Sequence, residues 1–296
     1  MASNGSNWAE AAEYLHAMVD RFQTTEGTEY EVVGKVEGSE QPSGDMLVLD
    51  SSFNPPTRGH MSMIVSALRT PTTDGYTPNS KCTRYSRILL LLAVQNADKA
   101  PQPASFGDRL TMMLLFAEDI HSAARDTGLS ILPVEVGVIK HARFLDKAIT
   151  LRKAYPEGSE MVFLTGFDTL IRLFNPKYYG GNLAPLAPFF EKGNSIQCFL
   201  RPMEGGSGEW KREQEMFLEE IRGGKRERDG CPREWGRRVQ MMVNLNRNAN
   251  GSLPVSSTLV REALINEDEG VLKNMLTEGV RKWIVQRGLY RDQKPL

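Results

Sequence analysis

The sequence predicts a doubly wound α/β fold, in which helices cover both faces of a largely parallel sheet. Two observations support this prediction. Apolar runs typical of strands alternate along the chain with segments of helical periodicity. The longest run, residues 86–94, is almost uninterrupted, as expected of a strand that is covered on both faces. Such folds bind ligands at the carboxyl ends of their strands, so the residues that follow each strand are the candidates for a site.

Each element is assigned from its periodicity and its flanking residues. The amphipathic pattern over residues 8–22 follows Asn7, a good N-cap, and predicts a packing helix. The predicted strands lie within residues 27–45, 46–53, 86–94, 129–137, 160–166, 194–202 and 240–246. The other predicted helices cover residues 60–68, 108–124, 147–155, 168–174 and 256–265, with a helical C-terminal segment over 270–290. We expect one main domain over 45–296, preceded by a helix and a short strand in 1–40.

Composition and charge exclude several classes of protein. The chain is 40% hydrophobic and 25% charged, as in ordinary globular proteins. Its 36 basic and 37 acidic side chains give a net charge of −1, which favours neither nucleic acid nor an anionic membrane as a partner. Three widely spaced cysteines, the lack of a signal-peptide pattern and the lack of a long apolar stretch indicate an intracellular protein of the cytoplasm, the nucleus or both.

Residues 203–238 differ from the rest of the chain because they are rich in charge and glycine, with one short helical pattern inside. We expect an insertion or a mobile loop there. Its basic residues would suit a nuclear-localisation signal or a phosphate-facing patch, but interspersed acidic residues favour a solvated surface. The segment is also a candidate surface for a protein partner. The sequence leaves the oligomeric state open, a homo-oligomer included.

The strongest local signal is SSFNPPTRGH, residues 51–60, where a predicted strand passes into a helix. The strand carries this turn to the edge of the sheet, and the helix directs its unpaired N–H groups and positive dipole end into the same space. An anion should bind there. Gly59 would let a ligand approach the backbone, and His60 would place an imidazole beside the anion. A histidine taken alone would more often be an ordinary surface or core residue.

This segment resembles the (H/T)xGH signature, with its preceding FNP turn, of the nucleotidylyltransferase superfamily. Residues 255–261, VSSTLVR, resemble the (I/V)SSTxxR signature of the same superfamily. Alone, the second motif would be a capped helix start followed by a surface arginine. The two motifs stand in the expected order, each on its expected element. The resemblance implies a Rossmann-like nucleotidylyltransferase fold.

A third segment narrows the resemblance. Residues 166–170, GFDTL, are similar to the GxDxL segment of nicotinamide mononucleotide adenylyltransferases, and the stretch through 179 looks most like a fungal branch. The resemblance spans about residues 45 to 290. The chain departs from the family pattern at two places. Ser51 stands where a glycine is usual, and residues 135–160 contain no tryptophan. The nearest aromatic residues after the GxDxL segment are Phe174, Tyr178, Tyr179, Phe189 and Phe190.

The resemblance implies transfer of the adenylyl group from ATP to nicotinamide or nicotinic acid mononucleotide. In-line attack, without a covalent intermediate, would give NAD or its deamido form and pyrophosphate. The implied catalytic residues are His60, Thr57 and Arg261. The implied nucleotide-binding residues are Ser51, Ser52, Phe53, Gly59, His60, Gly166, Asp168, Ser256, Ser257, Thr258 and Arg261. Lys99 and Arg109 would meet the phosphate of the acceptor. Mg²⁺ would be carried by the ATP phosphates, with no protein metal ligands expected.

Other hypotheses stay open at this point. Asp168, assigned to ribose hydroxyls by the resemblance, would also serve as an N-cap for the helix that follows. A related enzyme with another phosphorylated acceptor, or one that uses cytidine triphosphate, would share both motifs. A regulatory protein that binds or hydrolyses ATP on the same fold is a third reading.

Overall fold

The computed structural model describes residues 8–39, 44–70, 84–95, 104–156, 160–200, 210–243 and 255–291. The strands are β1 (Tyr30–Val36), β2 (Asp45–Asp50), β3 (Tyr85–Ala93), β4 (Val134–Ile139), β5 (Met161–Gly166), β6 (Ser195–Leu200) and β7 (Val239–Val243). The helices are α1 (Trp8–Thr24), α2 (Arg58–Arg69), α3 (Phe106–Thr127), α4 (Phe144–Ala154), α5 (Phe167–Leu173), α6 (Ala187–Glu191), α7 (Trp210–Arg222), α8 (Ser257–Ile265), α9 (Glu269–Met275) and α10 (Glu278–Arg287). Short 3-10 turns lie between α5 and α6 and between α7 and β7.

The seven strands of the described residues form one sheet in the order β1-β4-β3-β2-β5-β6-β7. All neighbouring pairs are parallel except β1 with β4. From β2 the chain builds outward through β3 and β4, and it then returns to build through β5, β6 and β7 on the other side. This arrangement confirms the predicted doubly wound fold. It also places a topological switch point between β2 and β5, where such sheets leave a crevice at their carboxyl ends.

Each face of the sheet carries its own hydrophobic core. In β2, Leu47 and Leu49 belong to one core while Met46 and Val48 belong to the other, because successive side chains of a strand point to opposite faces. The first core is completed by α1, α2, α3, α8, α9 and α10. The second is completed by α4, α5, α6 and α7. This double coverage explains why the strands read as continuous apolar runs.

The N-terminal segment is built into these layers. The buried face of α1, which includes Leu15, Val19 and Phe22, belongs to the first core, and β1 lengthens the sheet beyond β4. The helix predicted over residues 8–22 and the short strand after it are therefore confirmed. The proposed cap Asn7 lies outside the described residues. The separation of residues 1–40 from 45–296 stays a prediction.

Residues 210–238 form a packed layer that contains the predicted short helix, and the mobility of the insertion stays a prediction. Leu218 and Ile221 of α7, together with Trp235, are buried in the second core. Arg226 donates from Nη2 to the carbonyl of Phe174 at 2.9 Å. The apolar residues of this segment recur at helical spacing, but many charged residues lie among them. The average composition is therefore charged, although the segment packs. Residues 203–209 lie outside the described part of the chain.

The basic residues of this layer are engaged largely with nearby carboxylates. Arg233 pairs with Glu227 at 2.8 Å, and Arg238 pairs with Glu160 at 3.1 Å. These contacts lie at the surface, where solvent screens an isolated ion pair and its contribution to stability is small. Local pairing agrees with the interpretation of a solvated surface better than with a patch that faces phosphate.

The helical C-terminal segment is divided in two. α9 ends before Leu276, and α10 begins after Thr277. At the start of α10, the N–H of Gly279 donates to Oδ2 of Asp119 on α3 at 3.2 Å, which satisfies one of the free donors of the helix and ties α10 to α3. In the parts of the chain that the structure describes, every helix is too short or too polar to span a bilayer.

Candidate active site

The turn between β2 and α2, residues 51–57, has an unusual backbone and is called the turn below. Phe53 has a φ of +46°, and the peptide bond between Asn54 and Pro55 is cis. The ring of Phe53 is fully buried and lies 5.3 Å from the imidazole of His60, centroid to centroid. The side chain of Phe53 therefore belongs to the first core, and its part in nucleotide binding stays a prediction.

Residue His60 is held in one orientation by the start of α2. The backbone N–H of Thr57, the N-cap residue, donates to Nδ1 of His60 at 3.0 Å, and the hydroxyl of Thr57 lies 2.9 Å from the same nitrogen. An amide N–H only donates, so Nδ1 must accept and the proton of the neutral ring must be on Nε2. Nε2 lies 3.0 Å from Oγ of Ser51. Ser51, which stands where the family usually has glycine, thus contacts the imidazole directly.

The second motif docks on the turn, 200 residues away in sequence. Ser257 donates from its hydroxyl to the carbonyl of Pro55 at 2.8 Å. Arg261 donates from Nη1 to the carbonyl of Asn54, also at 2.8 Å. A Cβ on Gly59 would lie only 2.9 Å from the carbonyl oxygen of Val255, so this glycine admits the backbone of the second motif. The sequence predicted that a ligand would approach Gly59 closely. In the structure, the backbone of the second motif lies there instead.

The first residues of α8 divide their polar groups between the fold and the exposed space. The hydroxyl of Ser256 caps the helix by accepting from the N–H of Leu259 at 3.2 Å. The hydroxyl of Ser257 donates to a carbonyl of the turn, as described above. Thr258 is exposed, and its hydroxyl accepts from Nη2 of Arg261 at 3.2 Å. The N–H groups of Ser257 and Thr258, which no helix carbonyl can satisfy, remain the natural donors to an anion.

Arg109 supports the turn from α3. It is 1% exposed, its Nε donates to the carbonyl of Ser52 at 2.9 Å, and its guanidinium lies 5.0 Å from the ring centre of Phe106. Burial lowers the pKa of Arg109 to about 10. The structure therefore gives this residue a definite task in the fold. Its contact with an acceptor phosphate stays a prediction.

A cavity of about 270 Å³ opens beside the turn at the carboxyl ends of the central strands and is called the cavity below. It is small among ligand pockets, which commonly hold about 300–1,000 Å³. Its walls come from β2, β3, the start of α4, and α5 with the turn that follows. The lining residues are Asp50, Ser51, Ser52, Ala93, Gln95, Arg109, Ala142, Arg143, Phe144, Lys147, Thr169, Arg172, Leu173, Tyr178 and Tyr179.

A buried ion pair forms part of the cavity wall. Lys147 of α4 donates from Nζ to Oδ2 of Asp50 at the end of β2, and the two side chains are only 5% and 7% exposed. The same ammonium lies 5.4 Å from the ring centre of Phe144. Arg143 and Arg172 add two more cationic groups to the wall. With one carboxylate among four cations, Arg109 included, the cavity suits an anionic ligand.

Aromatic side chains line the cavity, although this chain lacks the tryptophan of the family pattern. Tyr178 and Tyr179 face it, and burial raises the pKa of Tyr179 to about 12. The other three aromatic residues named from the sequence, Phe174, Phe189 and Phe190, are buried in the second core and do not line the cavity.

The remaining predicted residues have mixed outcomes. Gly166 is the N-cap of α5, and Asp168 is an exposed residue of its first turn. The alternative that Asp168 caps the helix is therefore wrong, because the helix begins one residue earlier than the periodicity indicated. Its contact with ribose hydroxyls stays a prediction. Lys99 lies outside the described residues.

Several site residues were missed by reasoning from sequence. Phe144 and Lys147 lie in a helix that reads as ordinary packing, and Asp50 reads as the polar end of a strand. Tyr290, beyond α10, donates from its hydroxyl to Oδ1 of Asn54 at 2.8 Å, across 236 positions of sequence. The position of Asp50 at the carboxyl end of a central strand was the one signal available for this group.

The polar groups around the turn suit phosphate better than a metal ion. Among the described residues, no group of three or more His, Cys, Asp or Glu side chains is arranged to hold a metal. What the turn and α8 present instead are N–H groups, an imidazole and a guanidinium, which are donors to anionic oxygens. Such a site would accept Mg²⁺ only as part of a metal–nucleotide complex.

Comparison with known proteins identifies the family. A Schizosaccharomyces pombe protein, provisionally named nicotinamide mononucleotide adenylyltransferase, is 32% identical over 249 residues, which are 83% of this chain and 85% of the relative. No protein-family model matches the sequence. Two solved structures of Plasmodium falciparum nicotinic acid mononucleotide adenylyltransferase, one complexed with NaAD and one with APC, each give a TM-score of 0.48 at 12% identity over 85% of this chain and 99% of theirs. On the strength of the yeast relative, the chain belongs to the nicotinamide mononucleotide adenylyltransferase family of nucleotidyltransferases.

Proposed function

We propose that this protein transfers the adenylyl group of ATP to a pyridine mononucleotide, nicotinamide or nicotinic acid mononucleotide, and releases pyrophosphate. An oxygen of the mononucleotide phosphate would attack the α-phosphorus of ATP. The bond from that phosphorus to the oxygen bridging to the β-phosphate would break, and pyrophosphate would leave with its electron pair. Because no covalent enzyme intermediate forms, the protein contributes mainly positioning and charge stabilisation.

One observation carries this proposal: the docking of the second motif on the turn, beside a cationic cavity. Ser257 and Arg261 reach the carbonyls of Pro55 and Asn54, while Ser51 of the same turn lines the cavity. A nucleoside triphosphate held along the start of α8 would thus have its α-phosphate near His60. A phosphorylated acceptor in the cavity would approach that phosphate from the other side.

His60 is suited to stabilise the charge that grows on the α-phosphate. Thr57 holds Nδ1 as an acceptor, so Nε2 carries the hydrogen that an α-phosphate oxygen would accept. That oxygen would take the place of, or share the hydrogen with, the hydroxyl of Ser51. Because the ring is already oriented before the ligand binds, little reorganisation is needed at the moment of reaction.

Arg261 and the N–H groups of Ser257 and Thr258 are assigned to the β- and γ-phosphates, at the positive end of the α8 dipole. Bound Mg²⁺ would neutralise charge on these phosphates and would keep most of its water ligands. The guanidinium of Arg261 is half-buried and already fixed at Nη1 by the turn. It would stabilise the pyrophosphate as it departs.

The cavity is assigned to the acceptor. Its cationic wall, with Arg143 and Lys147, would attract the mononucleotide phosphate. Phe144, Tyr178 and Tyr179 provide aromatic surfaces against which a pyridine ring would stack, in place of the tryptophans usual in the family.

The direct experiment incubates the purified protein with ATP, Mg²⁺ and one acceptor at a time: nicotinamide mononucleotide, nicotinic acid mononucleotide or phosphopantetheine. Pyrophosphate and the adenylylated product are measured together. We expect equal amounts of pyrophosphate and dinucleotide with a pyridine mononucleotide. Pyrophosphate formed only with phosphopantetheine would favour the related enzyme with another acceptor. Orthophosphate, or ATP binding without turnover, would favour the regulatory protein that binds or hydrolyses ATP.

A further inference from the structure

Tyr290 lies two residues beyond the glycine that ends α10, and it reaches back to the turn. Gly288, with a φ of +61°, ends the helix, and its N–H donates to the carbonyl of Val285 at 3.2 Å. The side chain of Tyr290 is then 4% exposed, and its hydroxyl donates to Oδ1 of Asn54 at 2.8 Å. A phenol is seldom buried without a hydrogen-bond partner, and here the partner is a side chain of the turn.

The backbone of Tyr290 supports a specific role for the side chain. Its φ is +70°, a left-handed conformation that is unfavourable for a bulky residue. Non-glycine residues persist in this region when the surrounding structure fixes them, and they concentrate at functional sites. Here the phenol is fixed at its far end by Asn54 and along its ring by the first core.

The contacts around Asn54 connect this phenol to the predicted phosphate site. The side-chain oxygen of Asn54 accepts from Tyr290, while its main-chain carbonyl accepts from Nη1 of Arg261. The neighbouring carbonyls of Ser52 and Pro55 are engaged by other donors. Asn54 therefore accepts from two side chains, one at its side-chain oxygen and one at its main-chain oxygen. Arg109 and Arg261 are both close enough to act electrostatically on the Tyr290 phenol.

We propose that Tyr290 is a positioning residue for adenylyl transfer: its hydroxyl fixes the side chain of Asn54, and the main-chain carbonyl of Asn54 in turn fixes Arg261. The proposal rests on the function proposed above. It assigns no contact between Tyr290 and substrate. The expected consequence of losing the hydroxyl is a misdirected Arg261, which weakens stabilisation of the departing pyrophosphate more than it weakens binding of the acceptor.

Replacement Tyr290→Phe removes only the hydroxyl and keeps the buried ring. We expect kcat to fall roughly five- to tenfold, the scale for one buried hydrogen bond, while KM for the mononucleotide stays within about twofold. The matched control is Tyr155→Phe. Its hydroxyl is also hydrogen-bonded in the interior, to Tyr30 and to Glu135, but it is absent from the lining of the cavity and from the contacts of the turn. The control should lower the urea midpoint and leave kcat unchanged.

A double-mutant cycle identifies the route of the effect. If Tyr290 acts through Asn54, then Tyr290→Phe should change kcat less than twofold in an Asn54→Ala background. Full, independent losses in the double mutant would overturn the route through Asn54. Should Asn54→Ala fail to fold, Asn54→Ser replaces it, because the shorter side chain also removes the acceptor of the phenol. A change below twofold on adding Tyr290→Phe then supports the route, and a full further loss overturns it.

The outcomes separate this proposal from the one on which it rests. A wild-type protein that makes no dinucleotide overturns the proposed function and this inference together. A wild-type protein that makes dinucleotide, with Tyr290→Phe equal to it in kcat, overturns the inference alone. A loss of kcat in Tyr290→Phe that the equally destabilised Tyr155→Phe shares would also overturn it, because the effect would then be one of general stability.

Discussion

The turn and the cavity adjoin each other, yet they are built in different ways. The carbonyls of Ser52, Asn54 and Pro55 in the turn each accept a hydrogen bond from a side chain that is remote in sequence. The cavity presents its aromatic side chains on the start of α4 and the short turn after α5, and Tyr178 is 43% exposed. The turn is thus fixed by backbone contacts, whereas the cavity depends on side chains. In an adenylyl transferase, this division would keep the phosphate chemistry constant while the acceptor pocket varies.

The largest effect is expected at the buried ion pair in the cavity wall. Lys147→Met leaves the carboxylate of Asp50 buried without its partner, which typically costs about 3–5 kcal/mol of unfolding free energy. Urea denaturation followed by circular dichroism would measure it. Lys282→Met, which breaks an exposed pair with Glu278, is the control and should leave the unfolding free energy nearly unchanged. Equal, small losses in both variants would show that the cavity wall depends on no buried charge pair.

A substitution at the histidine that the turn holds should lower turnover and leave stability largely unchanged. His60→Ala removes the Nε2 donor and should lower kcat on the order of 10²-fold or more, the scale for one transition-state donor. Pyrophosphate release in the steady state measures the loss, with circular dichroism to verify folding. A well-folded variant with nearly normal turnover would refute the role assigned to His60 and remove the reason for treating the turn as the phosphate site.

The two tyrosines of the cavity should affect one substrate only. Tyr178→Ala and Tyr179→Ala should each raise KM for the pyridine mononucleotide roughly tenfold, on the scale of aromatic stacking against a base, while KM for ATP stays constant. Tyr14→Ala on α1, an exposed tyrosine that does not line the cavity, is the control and should change neither constant. An increase in KM for ATP instead would assign the cavity to the nucleotide triphosphate.

The smallest effect concerns the helix that precedes Tyr290. Burial raises the pKa of Asp119, which accepts the N–H of Gly279 at the start of α10. The folded protein therefore holds this proton more tightly than the unfolded chain, so stability should fall as pH rises through the interval between the ordinary and the raised pKa.

Asn at position 119 keeps an acceptor oxygen and removes the charge, so Asp119→Asn should abolish this decline. The difference should be a fraction of 1 kcal/mol, because solvent screens a half-buried carboxyl. Urea midpoints measured from about pH 4 to about pH 7 would show it, with the exposed Asp126→Asn as the control. Parallel curves for Asp119→Asn and wild type would exclude a contribution from this carboxyl.

The fold could be predicted from sequence because its signals are local and repeated. A strand covered on both faces must be largely apolar, as β3 is over residues 88–93. The two motifs could be predicted for the same reason, since each lies on one short junction. The amphipathic α7 was harder to recognise, because its few apolar residues lie among many charges.

The other site residues could not be predicted, because their roles depend on where distant segments meet. Nothing in the residues around Lys147 distinguishes it from a surface lysine until β2 brings Asp50 beside it. Gly59 was predicted to admit a ligand. The residue that occupies the space a Cβ would fill, Val255, is almost 200 residues away, so the sequence around Gly59 does not reveal it. Tyr290 reads as a residue near the end of a helix, and only its contact with Asn54 gives it another meaning.

The bond between Asn54 and Tyr290 also bears on the order in which the protein matures during translation. The two residues are 236 positions apart, so at about 5–20 residues per second a ribosome needs roughly 10 to 50 s to make the second after the first. For most of that interval the carbonyls of the turn lack their partners from α8, and until its end the asparagine lacks its phenol. A ribosome-bound chain therefore cannot reach the assembled arrangement described here until synthesis has passed residue 290, however early its central strands pair.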